Sequence, residues 1–168
     1  MRSVWMVGCC AAVGLVAQTI TFEEYTPKST LVVPAHPRTQ AKYPFVDVHG
    51  HPRQMGSPEK IDQLIKEMDA MNMRMMVNLD GRSGEPLKKT LANMRGKYPD
   101  RFVVFANIDF ANIDDPNWTN KTANQLEQDI KNGASGLKIY KNLGMDVKDS
   151  KGQRVKVDDP RLDPVMAV

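Results

Sequence analysis

The stretch at residues 43–52, YPFVDVHGHP, decides how the rest of the chain is read. A short apolar run ends in His49 and His51, one residue apart, with Asp47 two positions before the first of them. If residues 45–51 form a β-strand, successive side chains alternate between its two faces. Val46 and Val48 then point one way and Asp47, His49 and His51 the other. Two imidazoles on one face at a strand end make half of a metal site. Neutral imidazole suits Zn, Mn, Fe or Ni. Gly50 between them has no side chain to obstruct a covering layer, and Asp47 is placed to accept a bond from an imidazole N–H.

The units that follow repeat the architecture. Ser57-Pro58-Glu59-Lys60 is a helix opening, with a capping serine, a proline suited to the first turn and an acid that complements the dipole. Ile61, Leu64, Ile65, Met68 and Met71 follow at helical spacing. A second strand is expected at 75–80, a helix at 85–97, a third strand at 101–109, a helix at 123–132 carried by Leu126 and Ile130, and a fourth strand at 136–140. The polar strand ends His49, Asp80, Asp109 and Tyr140 fall 31, 29 and 31 residues apart. Strands alternating with helices at that length predict consecutive βα units and a parallel sheet.

Alternation within the strands adds detail. Val77 and Leu79 oppose Asn78 and Asp80; Val104, Ala106 and Ile108 oppose Asn107 and Asp109; Leu137 and Ile139 oppose Lys138 and Tyr140. Each strand has an apolar face for helices and a second face that turns polar toward its C-terminal end. An open doubly wound sheet carries apolar runs on both faces. Convergence of polar residues at one mouth fits a TIM-type (β/α)8 barrel better. Four units are present where a barrel has eight, over ~250 residues. The expectation is therefore an α/β chain holding the first four βα units, with residues 158–168 opening the fourth crossover helix. An uncovered edge in such a half would favour aggregation unless two copies pair as a homo-oligomer.

Composition narrows the function classes. The chain has 168 residues, 41% hydrophobic and 26% charged, which places it among globular rather than disordered proteins. Its net charge of +3 is spread among interleaved acids and bases, with no basic stripe carrying aromatics, so nucleic acid is not an expected partner. The eleven methionines include a cluster at Met68, Met71, Met73, Met75 and Met76, read as flexible core filler.

Residues 1–18 read as a signal peptide: Arg2 precedes a charge-free apolar run at 4–17, too short for a membrane span of ~20 residues. Export to the periplasm or the extracellular space is expected, with an N-terminal membrane anchor as the alternative and no span in the mature chain. Cys9 and Cys10 lie inside that segment, which leaves histidine and carboxylate as ligands. Residues 19–42 form an extended lead-in broken by Pro27, Pro34 and Pro37, with a short strand at 30–33 and His36 in a surface loop. The domain proper runs from 43 to 168.

FVDVHGHP at the first strand resembles the metal-binding opening of the amidohydrolase superfamily. More narrowly, the chain is similar to the amidohydrolase-related group that includes aminocarboxymuconate-semialdehyde-decarboxylase-like proteins. MMVNLDG (75–81), RFVVFANIDF (101–110), GASGLKIYKNLG (133–144) and VDDPRLDPV (157–165) carry the rest of the resemblance, which covers 43 to 168.

The resemblance implies a divalent metal, foremost zinc, with manganese or iron as alternatives, bound by His49 and His51. It also implies further histidine ligands on strands five and six and a proton-moving aspartate on strand eight. These have no counterpart within the 168 residues, so the catalytic general base is expected beyond the C-terminus and this chain alone is expected to be inactive. The implied reaction is hydrolysis of a C–N or C–O bond of a small organic molecule by metal-activated water. Decarboxylation on the same scaffold is the alternative. A phosphoesterase or deoxyribonuclease barrel and a non-catalytic remnant are the other readings. Asp80, Asn107, Asp109 and Lys138, with Asn78, are candidate substrate contacts at the mouth; the plainer reading is that they cap helices or bond one another. Lys138 is also weighed as a carboxylated bridge between two metals.

Overall fold

The computed structural model describes residues 20–34, 36–52 and 57–168. The proposed signal segment falls outside them. The chain divides into two units, Met1–Pro37 and Arg38–Val168. In the first, the described residues form a turn at 22–24 and otherwise extended chain, exposed throughout. The strand expected at 30–33 does not form. Leu31, Val32 and Val33 are β-formers, but an isolated extended segment has no neighbour to satisfy its backbone, and all three side chains are exposed. His36 is an exposed residue of this unit.

The second unit is mixed α/β. Its elements run β1 (Phe45–Gly50), α1 (Pro58–Met71), β2 (Met73–Asn78), α2 (Gly84–Arg95), β3 (Phe102–Val104), α3 (Trp118–Lys131), a 3-10 turn at Pro160–Leu162 and α4 (Asp163–Met166). The three strands make a parallel sheet in the order β1-β2-β3, so each crossover advances by one strand in the same direction. Helix α1 packs on β2, α2 on β3, α1 against α2 and α2 against α3, which puts the helices in one layer.

The fourth strand of the sequence reading is reduced to a single parallel bridge, Ala106 to Leu137. Ser135 N–H donates to Val104 O, Ala106 N–H to Gly136 O and Lys138 N–H to Ala106 O, all at 2.8 Å. The segment occupies the fourth position beside β3, but its pairing does not extend far enough to make a ladder. Strand β3 is shorter than expected for the same reason: beyond Val104, Phe105 N–H still bonds Asn78 O and Ala106 turns to segment 136–140.

Hydrophobic periodicity placed α1 and α2 to within two residues. Ile61, Leu64, Ile65 and Met68 of α1 and Leu87, Leu91 and Met94 of α2 are buried against Met73, Met76, Phe102 and Val104. The methionine cluster is core for the most part, although Met71 is 41% exposed. Helix α3 begins at Trp118, five residues before the expected start. Its polar first turn hides the period, and the anchor is Trp118, stacked on Phe110 with ring centres 6.0 Å apart. The inward face of α3 is Leu126 with Asp129, while Ile130 is 40% exposed. Asp129 turns in because its Oδ1 accepts the Gly84 N–H at 2.9 Å, where the amino end of α2 favours a negative charge.

Register corrects two points of alternation. Partners in a parallel pair project to the same face. Met76 pairs with Phe102 and Asn78 with Val104, so Met76 and Asn78 face the helices, while Val77 and Val103 face the other side. That inverts the assignment made for β2. The Asn78 amide is tolerated there because its Nδ2 reaches Met94 Sδ at 3.2 Å and its Oδ1 accepts the Asp80 N–H at 2.8 Å. In β1, Asp47 pairs with Met76 and Gly50 with Asn78: three steps on one strand oppose two on the other. This one-residue bulge puts Asp47 on the helix side, off the face assigned to it with the histidines.

Gly81 fixes the end of β2 against β3. Its N–H donates to Phe105 O at 3.1 Å, and a Cβ there would stand 2.1 Å from that same carbonyl oxygen. Gly81→Ala should destabilise the domain by about 1–3 kcal/mol, the cost of overpacking, read as a lower urea midpoint with an unchanged slope. An unchanged midpoint would show that the two strand ends are free to separate.

Candidate metal centre

His49 and His51 stand at the C-terminal end of β1 because the Gly50 backbone is bound on both sides of the ladder end. Leu79 N–H donates to Gly50 O at 3.0 Å, which carries the β1–β2 pairing one residue past the strand. A Cβ on Gly50 would meet Met76 Cγ at 2.7 Å, on the helix side, so the flanking histidines project to the opposite face. Their ring centres lie 5.1 Å apart with the planes at 57°. Two imidazoles on one tetrahedral cation, with metal–nitrogen bonds of about 2.0–2.1 Å, would have their centres roughly 5 Å apart. The spacing fits a shared ion.

The carboxylate that meets an imidazole is Asp80, not Asp47. Asp80 Oδ2 lies 3.1 Å from His51 Nδ1, with the two side chains 13% and 31% exposed. Asp47 instead bends back on the bulge and accepts the His49 N–H through Oδ1 at 2.9 Å. Asp80 is delivered by the end of β2: its N–H is held by the Asn78 side chain, and Leu79 is held by Gly50. From the fourth segment, the Tyr140 hydroxyl reaches Asp80 Oδ1 and lies 2.9 Å from Leu79 O. The Tyr140 ring is 6.2 Å from that of His51. His51, Asp80 and Tyr140 thus form a row across the ends of β1, β2 and segment 136–140.

Asn107 stitches the same edge together. Its Nδ2 donates to Leu79 O at 2.9 Å and to Lys138 O at 3.2 Å, and its Oδ1 accepts the Arg82 N–H at 2.7 Å. Its own N–H donates to Arg82 O at 2.8 Å. Arg82, with a left-handed φ of 68°, is therefore pinned by both of its backbone groups. Of the other residues picked from the sequence, Lys138 is half-buried, with Nζ 6.0 Å from the Tyr140 ring centre. Asp109 serves the turn into α3: its Oδ1 accepts the Ala111 N–H and its carbonyl the Trp118 indole N–H. Tyr140 is the residue undervalued in the sequence; it shares Lys138's face by alternation, and that signal was available.

Beside this row, a cleft of about 870 Å³ lies between α2 and the strand ends, lined by Asp80, Arg82, Lys89, Asn107 and Tyr140 among others. Asp80 and Tyr140 border it; the histidine rings do not. Among the described residues, no three His, Cys, Asp or Glu side chains come together as a ligand set. The histidine pair supplies two nitrogen donors, and a bound ion would draw its remaining ligands from water or other groups. Among the described residues, no helix is long and apolar enough to cross a membrane. No protein family, curated protein or solved structure compared with the chain matches it.

Asn107→Ala would remove the side-chain bonds to Leu79 O, Lys138 O and the Arg82 N–H at the edge of the sheet. At ~0.5–1.5 kcal/mol per bond, a loss of about 2–4 kcal/mol is expected in urea unfolding. A loss below about 0.5 kcal/mol would show that these contacts do not hold the edge.

Proposed function

We propose that the chain carries the first-strand half of a divalent-metal site in a hydrolase of the amidohydrolase-related type. The observation that carries this reading is the histidine pair on the face of β1 away from the helices, with ring centres at metal-sharing distance and a carboxylate on His51 Nδ1. Zinc suits the two imidazoles best, and manganese or iron could replace it. When bound, the ion would supply an acidified water and polarise a carbonyl oxygen. The residues of this chain would hold it through His49 and His51 and orient His51 through Asp80. The cleft bordered by Asp80, Arg82, Asn107 and Tyr140 would take a small organic substrate; Lys138 stands two residues before Tyr140.

The fold belonging to this reading is the first four βα units of a (β/α)8 barrel. Three features support it: the sequential parallel order, the single helix layer, and polar side chains gathered at the C-terminal strand ends. On the face without helices, Val46 is 47% exposed, an apolar surface that further strands of a barrel would cover. Among the described residues, no third metal ligand joins the histidine pair. Decarboxylation on the same scaffold is the second reading, and release of carbon dioxide rather than uptake of water would mark it. Export of the chain rests on its first 18 residues and remains part of the proposal.

The metal reading is tested by equilibrium dialysis against zinc followed by elemental analysis. The wild-type chain should retain about one zinc, and His49→Ala with His51→Ala together should abolish retention. Stoichiometric zinc in the double variant would refute the ligand assignment.

A further inference from the structure

We infer that the cleft between α2 and the strand ends is a site for a small dianion, with Arg82 and Lys89 as the residues that select its charge. The inference deepens the substrate half of the proposed function and rests on it only for what becomes of the anion once bound. The cleft, of about 870 Å³, is bordered by two basic side chains from different elements, Arg82 in the turn after β2 and Lys89 on α2. Among the described residues, neither joins an ion pair. The two acids along the cleft have basic neighbours of their own: Glu85 Oε1 lies 2.5 Å from Lys88 Nζ, and Asp80 Oδ2 lies 3.1 Å from His51 Nδ1. Neutral side chains along it are bonded within the protein. Asn78 Nδ2 donates to Met94 Sδ, the Thr90 hydroxyl to Pro86 O, and the Asn107 amide to Leu79 O and Lys138 O. What the cleft offers a ligand is therefore positive charge: a planar guanidinium fork that suits two carboxylate or phosphate oxygens, and an ammonium on a flexible stem.

Arg82 stands in this turn against its backbone preference. Its φ of 68° lies in the left-handed region that favours glycine, and Gly81 directly precedes it while Gly84 follows two residues later. The turn is held in that conformation from both ends. Asn107 engages the Arg82 N–H through its side chain and the Arg82 carbonyl through its own N–H, and the buried Asp129 accepts the Gly84 N–H at 2.9 Å. Strain that the surroundings over-determine, placed at a cleft, points to the side chain it presents. A glycine would suit the turn better and would give the cleft no charge. The histidine rings do not border the cleft, so an anion held by Arg82 and Lys89 needs no metal.

Chemical-shift titrations of the nitrogen-labelled chain without metal test this, with malonate, inorganic phosphate and the neutral malonamide as probes. Malonate or phosphate should bind, with the shifts gathered at residues 82–90, and malonamide should not. Binding of malonate alone would name a dicarboxylate as the ligand class, and binding of phosphate alone a phosphate ester; either supports the site. Arg82→Gln and Lys89→Gln should each weaken binding about tenfold or more. Arg82→Lys should fall between the wild type and Arg82→Gln, because it keeps the charge and loses the fork. Arg82→Gly should lose binding while its urea midpoint stays level or rises, because glycine relieves the turn.

Failure of both anions to bind, malonamide binding as tightly as malonate, or Arg82→Gln binding as tightly as the wild type would overturn the inference. So would an Arg82→Gly chain that loses stability along with binding, since the side chain would then serve the fold. His49→Ala with His51→Ala together should leave anion binding intact; its loss there would place the anion on the histidines instead. A wild-type chain that binds the anion through Arg82 and Lys89 but retains no zinc would support this site and sink the metal reading. The two failures are thereby told apart.

Discussion

One extra residue in β1, between Asp47 and Gly50, sets the orientation on which the candidate site depends. Without it, Asp47 and both histidines would share a face. With it, Asp47 lies on the helix side and bonds the chain locally, while His49 and His51 project to the face free of helices. Bulges recur where a strand must re-aim a side chain at a functional edge, and the cost is a locally broken ladder. Here the break is short. Leu79 N–H recovers the pairing at Gly50 O, immediately before the second histidine. That single bond brings the residue after Leu79, Asp80, beside the residue after Gly50, His51.

From that juncture the electrostatics follow. A carboxylate largely withdrawn from solvent must be compensated, and the His51 ring and the Tyr140 hydroxyl are among the groups that meet Asp80. Tyr140 reaches it across β3 because Asn107 binds the ends of the neighbouring segments, Leu79 on one side and Lys138 on the other. The short pairing of segment 136–140, one bridge rather than a ladder, is thus supplemented by side-chain bonds at its polar end. The polar residues at the strand ends maintain the sheet's edge and shape the cleft at once. Arg82 shows the same economy: Asn107 holds its main chain in a left-handed turn and leaves its side chain at the cleft.

The coarse fold was legible because it rests on apolar spacing. The periods of Ile61 to Met68 and Leu87 to Met94 placed two helices, and the regular interval between strand ends gave the parallel order. What could not be read were features set by neighbours rather than by period. The bulge leaves no mark in FVDVHGHP beyond Gly50, and the inversion of β2 turns on whether Met94 lies over Asn78. Strand 30–33 failed because composition supplies β-formers but not a partner. The inward turn of Asp129 depends on the amino end of a helix 45 residues earlier in the chain. The histidine pair was visible at once. Its supporting acid was mistaken for the nearest one in sequence.

The central claim is that His49 and His51 give their nitrogens to one divalent cation at the C-terminal edge of β1. X-ray absorption at the zinc edge of the zinc-loaded chain tests it most directly, because imidazole rings leave a distinctive outer-shell scattering pattern. Two imidazoles at metal–nitrogen distances of about 2.0–2.1 Å are predicted, with oxygen completing the shell. A spectrum of oxygen neighbours alone, or of a single imidazole, would contradict the claim.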